Sequence, residues 1–138
     1  MKNVISYGGQ FIDQKDINNV SKALKEKLIS SGKSVEEFEN KISKFLKVKN
    51  AITCNSGTSA LHLAFLAAGI KKGDNIIMPA VNFVAAYNMC VRLNANIYLS
   101  DVDPKTGQMT PQLLLECIKK NKIKKIKAIL TMYMGGFV

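Results

Sequence analysis

Apolar residues in the first third of the chain recur every three or four positions, which is the spacing of an amphipathic helix. One stripe covers residues 17–28 and predicts a first helix that begins near Asp13 or Asp16. A second stripe follows Ser34, and Glu37, three residues further on, predicts a capping box at the start of that helix. Both helices also have a polar face, so we expect them to lie at the surface and to pack their apolar face against a larger part of the protein.

From about residue 50 the pattern changes to short apolar runs separated by helical segments. Strands are predicted at 51–54, 75–78, 95–100 and 126–132. Helices are predicted at 58–68, 83–93 and 110–120. The first of these three helices is apolar on nearly every side, which indicates a helix in the interior.

Strands and helices in alternation predict an α/β fold with a mostly parallel sheet and helices on both of its faces. We expect residues 1–48 to form a helical segment that packs on a large domain, and residues 49–138 to be the first part of that domain. No helix follows the last predicted strand, although a parallel sheet needs both faces covered. The sequence therefore indicates a truncated domain.

Charge narrows the choice of partners. The formal net charge is +10, yet 19 of the 20 basic residues are lysine and only Arg92 is arginine. Base readout and bidentate phosphate binding favour arginine. The lysines of segment 119–127 come at a helix end without an interleaved aromatic residue, which favours a solvated surface. A nucleic-acid-binding protein is kept as a minor alternative.

Composition also limits the compartment. The chain has no apolar run of the roughly 20 residues that a membrane-spanning helix needs, and no secretory signal at its start. Cys54, Cys90 and Cys117 are far apart, which excludes a disulfide scaffold or a zinc ribbon. We expect a cytoplasmic protein with no metal site and no membrane partner.

The segment with the most specific chemistry is 54–61, Cys-Asn-Ser-Gly-Thr-Ser-Ala-Leu, where a predicted strand turns into a helix. The first N–H groups of a helix have no partner within the helix, and they point along the positive end of its dipole. With the glycine and two hydroxyls, the segment fits a phosphate-binding turn. An ordinary helix N-cap by Ser56 or Thr58 explains the same residues about equally well.

A second candidate segment, 78–88, follows the predicted strand 75–78, at the strand end where open α/β sheets bind ligands. Phe83 in this segment either stacks on a flat ring or belongs to the core. His62 has no Cys, Asp or Glu nearby and indicates a packed side chain. Asp101 and Asp103 precede a proline and are typical of loop caps rather than paired catalytic acids.

Taken in order, these segments resemble the amino-terminal part of the DegT/DnrJ/StrS-type sugar aminotransferases. The similarity extends from Tyr7 to Gly136 and rests on the spacing of five sequences, ISSGK, NSGTSAL, GDNIIMPAVNFVA, ANIYLSDVD and KAIL. It implies the aspartate-aminotransferase fold (fold type I), here as a partial large domain, and pyridoxal 5'-phosphate (PLP) as cofactor. Tyr133 stands where the family commonly has a histidine, so it is given no role.

The resemblance also implies roles for particular residues. Gly57, Thr58 and Ser59 correspond to the turn that holds the cofactor phosphate, and Phe83 to the aromatic residue that stacks on its ring. The positions that correspond to substrate-binding or pocket-lining residues are Tyr7, Ser30, Ser31, Ala85 and Asn88.

The implied reaction moves an amino group, usually from glutamate, to a nucleotide-linked keto sugar, in an enzyme that works as a homodimer. The Schiff-base lysine and the acid facing the pyridine nitrogen lie beyond residue 138 in the family's pattern, so no catalytic residue is assigned here. A transaminase needs that lysine. We therefore expect this chain to be inactive alone, and a fragment from a truncated or split gene is the main alternative.

Overall fold

The structure is a computed structural model and describes residues 8–136. Its contacts divide the chain into two units, 1–53 and 54–138, which are described separately. The division into 1–48 and 49–138 drawn from the sequence stays a prediction. None of the helices within residues 8–136 is long and apolar enough to cross a lipid bilayer.

The first helix, α1, is Gln14–Ala23, and it begins as predicted. Asp13 is its N-cap, with a carboxylate that accepts two backbone N–H bonds of 2.7 and 3.0 Å. Asp16 completes a capping box by accepting the Asp13 N–H at 3.0 Å. The helix ends earlier than predicted because the backbone tightens into a turn, in which the Lys25 N–H bonds the carbonyl of Lys22 at 3.0 Å.

The second helix, α2, is Lys33–Leu46, and its N-cap is Gly32. The capping box predicted from Ser34 is wrong, since that hydroxyl donates to Oε1 of Glu26 at 3.4 Å. A Cβ on Gly32 would collide with the carbonyl oxygen of Leu28. The close approach of this loop therefore puts glycine, which has no capping side chain, at the start of α2.

The unit 54–138 contains three parallel strands and three helices. In chain order they are α3 (Gly57–Ala67), β1 (Asn75–Pro79), α4 (Ala85–Arg92), β2 (Asn96–Ser100), α5 (Pro111–Lys120) and β3 (Ala128–Ile129), with a 3-10 turn at Met134–Gly136. The strand order is β2-β1-β3, and both neighbours run parallel to β1. The predicted βαβ arrangement is confirmed.

Strand β1 lies between two apolar cores. Ile76 and Met78 pack on the side of α3 and α4, in a cluster that includes Phe65 and Cys90. Ile77 points to the opposite face, where it packs with residues of α5 and the following loop. Because successive side chains of a strand alternate between its faces, this buried strand is apolar at consecutive positions.

Two sequence predictions are wrong, one at the junction of the two units and one in the unit 54–138. Residues 51–54 form no strand, and the side chain of Ile52 is 81% exposed. A strand exists only where a neighbour completes its hydrogen bonds, and none of the three described strands pairs with this segment. Helix α3 is also less buried than its composition indicates, since Phe65 is its one buried residue and Leu63 and Leu66 are each 49% exposed.

The predictions for the start of α5 and for the position of the last strand agree better with the structure. Thr110 caps α5, accepting the Leu113 N–H at 3.3 Å, and Pro111 takes the first helical position as expected. The last strand is shorter than predicted, because regular pairing covers only Ala128 and Ile129.

Candidate functional site

The carboxyl ends of the strands and the beginnings of the helices share one edge of the sheet. Helix α3 leads through a loop into the start of β1, and α4 leads into the start of β2. Two backbone bonds join these loops, from Gly73 N–H to the Asn94 carbonyl and from Asn96 N–H to the Asp74 carbonyl, each 2.9 Å long. The helices therefore end together at the amino edge and begin together at the carboxyl edge.

The first turn of α3 has hydrogen-bond donors for which the helix itself provides no acceptor. Ser56 is the N-cap, and its Oγ accepts the Ser59 N–H at 3.1 Å and donates to Ser59 Oγ at 3.1 Å. The N–H groups of Gly57 and Thr58 occupy the first turn, where the helix itself provides no acceptor. Thr58 is exposed, and a Cβ built on Gly57 would meet no atom within 4 Å.

This geometry fits a phosphate group. Two backbone N–H groups, the Thr58 hydroxyl and the Ser59 hydroxyl surround open space at the positive end of an 11-residue helix. The N-cap interpretation is confirmed, because Ser56 caps the helix, and the phosphate-binding role of the next three residues stays a prediction.

Phe83 lies in the loop that joins β1 to α4, at the same edge of the sheet. Its side chain is 73% exposed, so it is not a core residue. The Phe83 N–H donates to Oδ1 of the preceding Asn82 at 2.7 Å, which fixes the backbone that carries the ring. Nδ2 of Asn82 is buried and has no hydrogen-bond partner among residues 8–136.

Asn82 was missed by the sequence analysis. An asparagine directly before the candidate ring residue was the signal available, since asparagine side chains commonly bond to nearby backbone.

The remaining predicted site residues are spread over both units. Ala85 is buried and only 3% exposed, whereas Asn88 is exposed one turn further along α4. Ser30 and Ser31 are exposed in the loop before α2, and Ser31 lines an open groove of about 370 Å³. Tyr7 lies outside the described residues. The roles of these five residues stay predictions.

A carboxylate of α2 holds the residue directly before segment 54–61. Oε1 of Glu39 accepts the Thr53 backbone N–H at 2.7 Å and the Thr53 hydroxyl at 2.8 Å. The backbone bond, and after it the hydroxyl bond, stabilises the charged form and lowers the pKa of Glu39.

Other candidate groups have structural roles. Asp103 caps its loop, with an Oδ1 that accepts the N–H groups of Lys105 at 2.8 Å and Thr106 at 3.0 Å. His62 is half-buried. Burial raises the pKa of the Cys90 thiol. Within the described part of the chain, no three His, Cys, Asp or Glu side chains group so as to hold a metal ion.

Comparison with known proteins places this chain in a family. The model of the DegT/DnrJ/EryC1/StrS aminotransferase family matches residues 10–138. The UDP-4-amino-4,6-dideoxy-N-acetyl-beta-L-altrosamine transaminase of Campylobacter jejuni is 37% identical over 133 residues, which is 96% of this chain and 35% of that protein. The chain thus spans about a third of the length of this relative.

Solved structures share the fold. The aminotransferase from Psychrobacter cryohalolentis superimposes with a TM-score of 0.81 and 28% identity, over 93% of this chain and 32% of the other. The E coli GDP-4-keto-6-deoxy-D-mannose-3-dehydratase with bound hydrated PLP gives a TM-score of 0.77 and 26% identity, over 89% and 32% of the two chains. The predicted fold type, a partial large domain of the fold type I PLP enzymes, is confirmed.

The family model matches nearly the whole chain, one similar protein is a sugar transaminase, and one similar structure is an aminotransferase. This chain belongs to the DegT/DnrJ/EryC1/StrS aminotransferase family.

Proposed function

We propose that this chain supplies the cofactor-binding edge of a PLP-dependent transaminase that moves an amino group from glutamate to a nucleotide-linked keto sugar. The observation that carries the proposal is the shared carboxyl edge, which has both the donors of the first turn of α3 and the exposed aromatic ring of Phe83. The PLP-bound dehydratase of the same fold and the nucleotide-sugar transaminase relative support the cofactor and the class of substrate.

In this proposal the residues of the chain bind and orient the cofactor. The N–H groups of Gly57 and Thr58, with the hydroxyls of Thr58 and Ser59, hold the phosphate against the positive end of α3. Phe83 covers one face of the pyridine ring. The hydrogen bond from the Phe83 N–H to Asn82 fixes the backbone that carries the phenyl ring. When it is bound, PLP supplies the carrier of the amino group between the two substrates.

Site variants test the binding role. Thr58→Val combined with Ser59→Ala removes both hydroxyls while Ser56 keeps the helix cap, and we expect at least a tenfold weaker PLP affinity with little change in thermal stability. Thr110→Ala, which removes a hydroxyl from the start of α5, is the matched control and should leave PLP affinity unchanged. Equal affinity in the double variant and the unaltered protein would reject the phosphate site.

Phe83→Leu tests the ring contact in the same titration. Phe45 in α2 is 82% exposed, so Phe45→Leu removes a comparably exposed ring that belongs to the other unit and has no proposed role. We expect only Phe83→Leu to weaken PLP binding.

The reaction is tested by its product. The assay uses a full-length enzyme in which these 138 residues are followed by the family's lysine-bearing segment. Given 15N-glutamate and a nucleotide-linked 4-keto sugar, a transaminase places the label in the sugar, whereas dehydration leaves an unlabelled deoxy sugar. An unlabelled product would reject transamination.

We also propose that the 138 residues alone turn over no substrate, because the family's Schiff-base lysine lies beyond residue 138. Labelled product from this polypeptide alone would contradict that proposal.

A further inference from the structure

The amino edge of the unit 54–138 carries most of its positive charge. Three loops meet there, the ones that lead into β1, β2 and β3. Besides the two bonds between the first two loops, Asn75 Nδ2 donates to the Lys125 carbonyl at 2.7 Å and the Lys127 N–H donates to the Asn75 carbonyl at 2.9 Å. The three loops therefore form one continuous surface.

Nine of the ten lysine and arginine residues of this unit lie on that surface or at the helix ends beside it, and all nine are exposed. We call them the basic edge: Lys71, Lys72, Arg92, Lys119, Lys120, Lys122, Lys124, Lys125 and Lys127.

Acidic residues do little to neutralise the basic edge. Asp74 is the one carboxylate in these loops, and its Oδ2 accepts the backbone N–H of Lys71 at 3.0 Å. Asp101 and Asp103 follow β2 and so lie at the opposite edge of the sheet. Glu116 stands one turn before the end of α5 and bonds Gln112 at 3.1 Å. An anionic partner thus meets an almost unopposed positive field.

We propose that the basic edge binds the surface of a membrane rich in anionic phospholipids. Eight of its nine cations are lysines, and none of the three loops contains an aromatic residue. Readout and stacking of nucleic-acid bases favour arginine forks and aromatic side chains, which these loops lack. Binding to anionic lipid headgroups needs only positive point charges close to the membrane surface, which lysine supplies.

This proposal differs from the sequence-based expectation of no membrane partner, because the fold brings together charges that are separate in the sequence. The sequence shows only the run 119–127 at a helix end, whereas the structure adds Lys71, Lys72 and Arg92 from separate loops. Bound in this way, the protein would hold its basic edge on the lipid and its carboxyl edge, with Phe83, away from it. This inference is independent of the reaction proposed above.

Vesicle co-sedimentation tests the proposal with the purified protein. We expect binding to vesicles of phosphatidylglycerol and phosphatidylcholine in comparable amounts, and at least tenfold weaker binding to phosphatidylcholine alone. Binding should also fall at least tenfold between 0.1 M and 1 M salt, as the Debye length decreases from about 10 to about 3 Å.

A matched pair of variants separates the basic edge from net charge. The edge variant replaces six lysines with glutamine, at positions 119, 120, 122, 124, 125 and 127. The control variant replaces six exposed lysines of the other unit, at positions 15, 22, 25, 27, 41 and 44. We expect at least a tenfold loss of vesicle binding in the edge variant and less than a threefold loss in the control.

Three results would overturn the proposal. These are equal losses in the two variants, equal binding to neutral and anionic vesicles, and tighter binding to duplex DNA or RNA than to vesicles at the same phosphate concentration. Should the edge variant fail to fold, Lys71→Gln with Lys72→Gln replaces it, for which a smaller but measurable loss is expected and an unchanged affinity would count against the proposal.

Discussion

Oε1 of Glu39 accepts both the backbone N–H and the hydroxyl of Thr53, at 2.7 and 2.8 Å. One carboxylate oxygen of α2 thereby fixes the residue that leads into the candidate phosphate turn. Neither residue stands out in the sequence, because a bond over 14 positions depends on the tertiary structure rather than on local pattern.

The first prediction concerns the pH dependence of this contact. The pKa of Glu39 is lowered in the folded protein, so the contact stabilises the fold above the pKa of an unfolded glutamate and the stabilisation is lost as pH falls through the lowered value. Glu39→Gln should lower the melting temperature at pH 7, and the difference from the unaltered protein should shrink between about pH 5 and pH 3. Glu37→Gln is the control, and an equal effect of the two variants at pH 7 would contradict the prediction.

The second prediction separates helix capping from phosphate binding at Ser56. Ser56→Ala should destabilise the protein by about 1 kcal/mol, because the Ser59 N–H loses its acceptor. Ser56→Asp keeps a capping oxygen but adds a negative charge beside the proposed phosphate. We expect near-normal thermal stability for Ser56→Asp with at least tenfold weaker PLP binding, and unchanged PLP binding would indicate that the phosphate lies elsewhere.

The third prediction uses the unpaired amide of Asn82. Asn82→Leu removes a buried donor without a described partner together with the acceptor of the Phe83 N–H. Removing the unsatisfied amide nitrogen should stabilise the fold by about 1–3 kcal/mol, and losing the acceptor of the Phe83 N–H should destabilise it by about 1 kcal/mol. The free energy of unfolding should therefore stay the same or rise. PLP affinity should fall about fivefold, because the ring of Phe83 is held less firmly.

Asn82→Asp completes that test. It keeps an oxygen for the Phe83 N–H, and we expect PLP affinity close to normal but a lower melting temperature, since a carboxylate oxygen replaces the buried amide nitrogen. A parallel fall of affinity and stability in both variants would show that Asn82 acts only on folding.

The fourth prediction concerns the sheet. Ile77 and Ile129 are register partners on β1 and β3, but Ile77 is fully buried whereas Ile129 is 44% exposed. Ile77→Ala should cost about 2–5 kcal/mol in the free energy of unfolding, measured by urea denaturation, and Ile129→Ala clearly less. Similar losses at the two positions would contradict the burial that the structure assigns.

How far the sequence predicts this structure depends on whether the signal is local. The start of α1 at Asp13 and the cap of α5 at Thr110 followed from side chains that bond a backbone within three residues. The turn at Ser56 was found for the same reason, since its side chain bonds the Ser59 N–H. Strand β1 was found from its continuous apolar run, which is typical of a strand buried on both faces.

The failures have a common physical cause in longer-range contacts. Ser34 looks like an N-cap, but its hydroxyl is taken by Glu26 and the close approach of Leu28 requires glycine at position 32. Residues 51–54 have the composition of a strand, but a strand needs a partner that no local pattern provides. The Glu39–Thr53 contact was invisible for the same reason, whereas Asn82 was overlooked although its bond to the next residue is local.

The alternation of β1 between two cores has a consequence for how the protein tolerates change. Residues 76 and 78 belong to the layer of α3 and α4, which bears the candidate site, while residue 77 belongs to the layer of α5. Substitutions around α5 can therefore accumulate and compensate one another with little disturbance of the opposite layer. Directed evolution for stability would do best to begin with the residues that pack around α5. Strand β1 separates those residues from the layer that bears the candidate site.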